Sequence, residues 1–215
     1  MPDISPPTSG PGRPKDLAKR QAILDAAKSL FIRNGYASTS MDAVSAEAGV
    51  SKLTVYSHFN DKETLFSAAV VARCEEQMPE LFFDLHSELP VETQLLNIAR
   101  SFQTLINSPE SIELHRLMVT LGTQDPKLSQ IFFDAGPQRI LVEMERFLVR
   151  LEKTGELRFD SAKTAAEHFL SLIKGACNFR LLVGCGEMPD DASAERHVRD
   201  VVELFVRAYR IQVIG

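Results

Sequence analysis

The fold is written most plainly in GYASTSMDAVSAEAGVSKLTVYSHFNDKETLF, residues Gly35–Phe66. Thr39 is placed to cap a short helix, with Asp42 three residues on in the position of a capping-box acid. That helix ends at Gly49, which permits a tight turn. Ser51 is a second good cap and starts another short helix that ends near Phe59. Val44, Ala48, Val50 and Val55 are spaced to pack the two helices against each other. Two short capped helices joined by a three-residue turn form the helix-turn-helix plan, whose second helix can lie in the major groove of DNA. The N-terminal end of such a helix should carry small or polar side chains. Ser51, Lys52 and Thr54 stand there, with Ser57 and His58 one turn further on.

Flanking segments complete a small helical domain over residues 15–78. Upstream, Lys15–Asn34 reads as a helix with Ile23, Leu24, Ala27, Leu30 and Phe31 on one face, stopped by Gly35. Downstream, Asn60 or Asp61 caps a fourth helix that carries Leu65, Phe66, Ala69 and Val70, with Pro79 limiting or kinking it. Residues 1–14 hold five prolines and little that could be buried, so they are expected to be a disordered arm. Arg13 and Lys15 follow that arm, and Arg13 could reach into the minor groove or simply stay solvated.

The same stretch resembles the DNA-binding domain of the tetracycline-repressor (TetR/AcrR) family. The matching pieces are AILDAAKSLFIRNGY, the Thr39-Ser40 start of the second helix, EAGVSKLTVYSHF and DKETLF, together covering about Arg20–Val71 without gaps. The resemblance implies that Thr39, Ser40, Tyr56 and Lys62 contact phosphates, and that Ser51, Lys52, Leu53, Thr54 and His58 lie on the groove-facing helix. Leu53 departs from the small or polar residues usual there. It could meet a thymine methyl or point away from the bases. Simple chemistry supports several of these roles: Lys62 sits in a helix's first turn, where the dipole attracts phosphate, and Lys52 can donate to guanine O6 or N7. Further on, ELHRLMV, FFDAGPQRILVEMERFL, GELR and AAEHFLSLIKG resemble the AefR-like C-terminal subgroup.

Residues 79–215 form a string of longer helices with no sustained period-two alternation, so the expected class is all-α, with a C-terminal helical bundle for effector binding and dimerisation. Helices are expected over Glu92–Ser108, Glu110–Leu121, Asp125–Asp134, from Pro137 to a stop at Gly155, over Ser161–Val183 and over Ala192–Arg210. Leu172, Phe179, Leu181 and Leu182 widen the apolar stripe of the Ser161–Val183 helix beyond one face, which requires cover on more than one side. The last two helices from each of two subunits are therefore expected to build a homodimer. Phe102, His115, Met118, Met144, Phe147, Phe169 and Ile173 are the candidate lining of an apolar effector cavity, although any one of them could simply be core.

The formal net charge of −5 disfavours nucleic acid until its distribution is considered. Residues 1–73 hold nine Lys/Arg against seven Asp/Glu, and Arg13–Arg33 alone has six basic residues against two acidic ones. A mildly basic head on an acidic body suits a protein that touches phosphate with one end. The expected partners are thus a double-stranded DNA operator, a second copy of the chain and a small-molecule effector. His86, His115, His168 and His197 show no close metal-ligand spacing, and Cys177 and Cys185 are eight residues apart, so neither a metal, a cofactor nor an enzyme is expected. The N-terminus has no apolar signal core and no run of apolar residues spans a bilayer, so a cytoplasmic location with no membrane partner follows.

Overall fold

A computed structural model describes residues 13–77 and 89–211. Among the described residues there are ten helices: α1 Arg13–Ser38, α2 Met41–Glu47, α3 Lys52–His58, α4 Lys62–Gln77, α5 Val91–Asn107, α6 Pro109–Gly122, α7 Pro126–Ala135, α8 Pro137–Glu152, α9 Ala162–Val183 and α10 Asp191–Tyr209. The only strand-like pairing among them is an isolated bridge between Leu157 and Arg210. The chain divides into two compact units, one up to Ala72 and one from Arg73 onward. The Pro-rich arm and Pro79 lie outside the described residues.

Local chemistry sets the helix starts. The Ser51, Ser108, Ser161 and Asp190 side chains each accept from the backbone N–H three residues on, and Asp125 accepts from Lys127 and Leu128. Asp61 Oδ1 accepts from Thr64 N at 2.7 Å and so opens α4. Pro109, Pro126 and Pro137 occupy first-turn positions, where the missing N–H costs nothing. The cap of α2 differs from expectation. Ser40, not Thr39, accepts from Ala43 N, because the Thr39 side chain is turned into the unit. Helix α1 begins at Arg13 and is regular up to Gly35, whose φ of 77° breaks it before a last turn ending at Ser38.

In the N-terminal unit, Ile23, Leu24, Ala27, Leu30 and Phe31 of α1 meet Val44 of α2, Val55 of α3 and Leu65, Phe66 and Ala69 of α4 in a closed core. Phe31, Tyr36 and Phe66 form an aromatic trio, with ring centroids 4.9 Å apart for the two edge-to-face pairs that Phe66 makes.

The core of the C-terminal unit is built from α5, α8, α9 and α10, with Leu95, Phe102, Met144, Phe147, Phe169, Ile173 and Phe205 fully enclosed or nearly so. Phe205 packs edge-on against Phe169 at 4.9 Å and beside Tyr209 at 4.7 Å. Helix α9 carries a feature its apolar periodicity does not announce. Gly175 takes φ 54°, ψ −169° and splits it into two segments. The Ile173 carbonyl at this break lies 3.0 Å from His197 Nε2 of α10.

The α5–α6 corner is fixed by a buried amide. Asn178 Nδ2 donates to Ile106 O at 3.1 Å and to Asn107 Oδ1 at 3.0 Å. Replacing Asn178 by Ala orphans both acceptors inside the protein. A loss of about 1–3 kcal/mol is expected, measured by urea unfolding at one fixed protein concentration; an unchanged midpoint would remove this role.

Candidate nucleic-acid interface and effector cavity

Helix α3 is anchored by one buried residue, Val55, with Phe59 buried just beyond it. Everything else on the helix is thereby turned outward or sideways. Ser51, Lys52, Leu53, Tyr56 and Ser57 are exposed, and Leu53 at 80% is the most exposed large apolar side chain among the described residues. The Ser51 hydroxyl lies 2.8 Å from that of Thr54 and accepts from the Thr54 N–H, so the first turn is held by its own side chains. Ser57 donates to the Thr54 carbonyl at 2.7 Å. Lys52 Nζ sits 2.7 Å from Asp42 Oδ1 of α2, and the hydrogen bond it donates to that carboxylate raises the lysine's pKa. Asp42 was noticed in the sequence only as a capping acid; its position ten residues before Lys52, across the turn, is the signal of this pairing.

Three residues the sequence assigned to DNA have internal partners. Thr39 is 2% exposed, and its hydroxyl donates toward the Leu30 and Gly35 carbonyls, at 3.2 and 2.9 Å. Lys62 Nζ donates to the Tyr36 and Ala37 carbonyls at 3.0 and 3.2 Å and stands 4.5 Å from the Tyr36 ring centroid. The His58 side chain is 11% exposed, with Nε2 3.1 Å from Asp16 Oδ1 of α1. Ser40 remains on the surface while capping α2. The surface that faces outward as a set is therefore Ser40, Ser51, Lys52, Leu53, Tyr56 and Ser57, with Thr54 half-buried among them.

The C-terminal unit holds an open cavity of about 370 Å³, lined by residues of α5 to α9 and by Cys74, with Phe133, Glu167, Ser171 and Lys174 of the lining exposed. Its volume lies in the range of small-molecule sites. Of the seven residues proposed from sequence, Phe102 and His115 line it. Met144, Phe147, Phe169 and Ile173 are instead packed in the core, and Met118 is buried outside the lining. The cavity's polar groups went unnoticed in the sequence: Ser111, Glu167, Ser171 and Lys174. Their signal was present, since Glu167, Ser171, Lys174 and Asn178 recur at intervals of four, three and four and form a polar stripe along an otherwise apolar helix.

His115 Nδ1 lies 2.6 Å from the Ser111 carbonyl, and the imidazole ring packs edge-on to Phe132 at 5.2 Å. Burial, with a smaller contribution from the Lys174 charge, pushes the His115 pKa down. Burial likewise lowers that of Lys174. It pushes the Cys74 thiol up to about 11. Cys74 touches the wall closely: a Cβ added to Gly136 would come within 2.9 Å of its Sγ.

Residues 93–211 match the AefR-like transcriptional repressor C-terminal domain, and residues 23–69 match the bacterial regulatory proteins of the tetR family. The first match alone covers more than half of the chain. The chain belongs to the TetR family. It is a DNA-binding transcriptional regulator and not an enzyme. A putative TetR-family regulator from Mesorhizobium loti superimposes with a TM-score of 0.84 at 28% identity, over 92% of this chain and 99% of that one. The flavonoid-responsive regulator FrrA gives 0.79 at 28% identity, over 91% and 98%. The HTH-type transcriptional regulator YdeS of Bacillus subtilis is 27% identical over 192 residues, 89% of each chain. TetR-family regulators bind operators as dimers. Among the described residues of this chain, no helix is long and apolar enough to cross a membrane.

Two outcomes follow from the internal bonding. Thr39→Val keeps the shape but orphans the Leu30 and Gly35 carbonyls, so stability should fall by about 1–3 kcal/mol while the salt dependence of DNA binding stays as it was. A flatter salt dependence would show instead that the hydroxyl serves a phosphate. His115 takes its proton less readily when folded than at its ordinary value of 6.5. As pH falls below that value, protons therefore favour the unfolded chain and stability drops. The drop between pH 7.5 and 5.5, followed by thermal unfolding, should be smaller in His115→Gln.

Proposed function

We propose that the chain is a repressor that holds a near-palindromic operator as a homodimer and releases it when a small apolar or amphipathic ligand enters the C-terminal cavity. The observation that carries the DNA half is the orientation of α3. One valine anchors it, and its remaining surface offers a lysine, hydroxyls and Leu53 to solvent. An 80%-exposed leucine is costly to keep in water unless something covers it, and a thymine methyl in the major groove is a fitting cover. Lys52 exchanges its surface pairing with Asp42 for a guanine edge, and Tyr56 offers its hydroxyl to a phosphate. Thr39, Lys62 and His58 support this surface from behind.

One head makes too few base contacts for selectivity, since non-specific binding of such modules sits near ~10⁻⁴–10⁻⁶ M. Joining two heads raises the effective concentration of the second to the order of mM. The joining surface we assign to α9 and α10. Leu172, Ala176, Phe179 and Val183 are exposed at intervals of four, three and four along α9, and Leu204 is exposed on α10. This is the spacing of a helix seam that expects a partner. Repression needs only occlusion of a promoter, and an operator in the chromosome places the protein in the bacterial cytoplasm.

The ligand half rests on the cavity and on α4, which starts at Lys62 and carries Cys74 in its last turn against the cavity wall. A ligand that moves Cys74 moves the helix whose first residue holds the end of α1. The flavonoid response named for FrrA supports a flat aromatic effector here as well.

Sequences selected from random DNA by the full chain should converge on a two-fold symmetric site. On that site Lys52→Ala should cost about 1–3 kcal/mol and relax the preference at one base position per half-site. Phe179→Glu should give a monomer by light scattering and lose selective binding with it. Selection of no common sequence would defeat the proposal.

A further inference from the structure

We propose that the C-terminal cavity recognises an aromatic ligand through a weakly acidic hydroxyl, a phenol, whose oxygen is held between the Lys174 ammonium and the bare Nε2 of His115. This rests on the cavity being the effector site.

The walls are apolar and rich in rings: Phe102, Phe132, Phe133, Leu114, Ile140 and Leu170. Such walls suit a flat aromatic body but give it no fixed orientation. Orientation must come from the polar groups, and two of these have unused capacity. Lys174 lines the cavity with no carboxylate paired to it among the described residues. His115 is committed at one nitrogen only. A carbonyl oxygen can only accept, so the contact of 2.6 Å to Ser111 O puts the hydrogen on Nδ1. Burial and the neighbouring lysine both oppose a second proton, so Nε2 keeps a lone pair.

The pair therefore presents one donor and one acceptor. A carboxylate satisfies Lys174 but sets lone pair against lone pair at Nε2. An ether accepts from Lys174 and offers His115 nothing. A hydroxyl does both: its oxygen accepts an N–H from Lys174 while its O–H donates to Nε2. An aliphatic alcohol has the same two capacities, but a phenol proton is more acidic. Negative charge building on its oxygen is stabilised by the Lys174 ammonium at the solvent-facing side of the cavity. The aromatic walls favour the ring that comes with it. Glu167 is also part of the lining, seven residues before Lys174 on α9 and so about 10 Å away along the helix axis. Its carboxylate disfavours an anion at that end and directs the acidic end of a ligand toward Lys174.

Isothermal titration of the full chain at pH 7 with 2-naphthol, 2-methoxynaphthalene and 2-naphthoate tests this. The naphthol should bind about tenfold more tightly than the ether, the worth of a hydrogen bond or two, and the naphthoate no more tightly than the ether. His115→Phe should remove the naphthol's advantage while leaving ether binding as in the wild type, which also reports that the cavity is intact, and Lys174→Met should weaken naphthol and ether alike. Equal binding of naphthol and ether, tightest binding of the naphthoate, or a naphthol affinity indifferent to Lys174→Met overturns the phenol assignment and leaves the cavity reading standing. Failure of all three compounds to bind overturns both.

Discussion

The N-terminal unit depends on how the end of α1 is closed. At Gly35 the backbone turns to φ 77°, which interrupts α1. Thr39 Oγ1 serves Leu30 and Gly35, and Lys62 Nζ serves Tyr36 and Ala37. These two side chains come from the residues just before α2 and at the start of α4. Closing α1 therefore also sets where α2 begins and where α4 departs. The aromatic trio of Phe31, Tyr36 and Phe66 fills the angle between them, with the Lys62 ammonium over the Tyr36 ring. Helix α3 contributes only Val55 to the interior from within its own span, so its direction is inherited from this corner.

That constraint explains which parts of the interface were legible in the sequence. Helix starts were legible where a cap is a local interaction of three or four residues: Ser51 and Asp61 cap where the sequence places them, whereas Thr39 yields its place to Ser40. The outward set on α3 was legible because a seven-residue helix with one buried valine leaves few other orientations. The direction of Thr39, Lys62 and His58 was not. A hydroxyl, an ammonium and an imidazole suit a phosphate and a stray carbonyl or carboxylate equally well, and the choice depends on Leu30, Tyr36 and Asp16, which are distant in sequence.

The C-terminal unit shows the same limit with apolar residues. Met144, Phe147, Phe169 and Ile173 have the helical spacing of a buried face, and spacing alone does not separate a face that meets other side chains from one that meets a hole. What marks the hole is polarity where an apolar face would pack. Glu167, Ser171 and Lys174 reach solvent while lining the cavity, which a face packed against other helices would not allow. The exposed stripe of Leu172, Phe179 and Val183 on the same helix is the converse case, an apolar face with no cover in one protomer. Helix α9 thus meets three environments, the core, the cavity and the outside. Gly175 breaks it where these meet.

A ligand changes DNA affinity only if it binds two conformations unequally, and the typical coupling is ~1–3 kcal/mol. The packing at the cavity wall is close. Cys74 lies against Gly136 so closely that even a Cβ there would collide with the sulfur. The α4 helix that carries Cys74 has, at its other end, the lysine on which the closure of α1 depends. The polar corner at Gly35–Thr39 is held by hydrogen bonds of about 3 Å, which weaken steeply once their geometry is lost. Thr39 and Lys62, which the sequence suggested as phosphate contacts, are thus the side chains that hold the corner from which α2 and α4 depart.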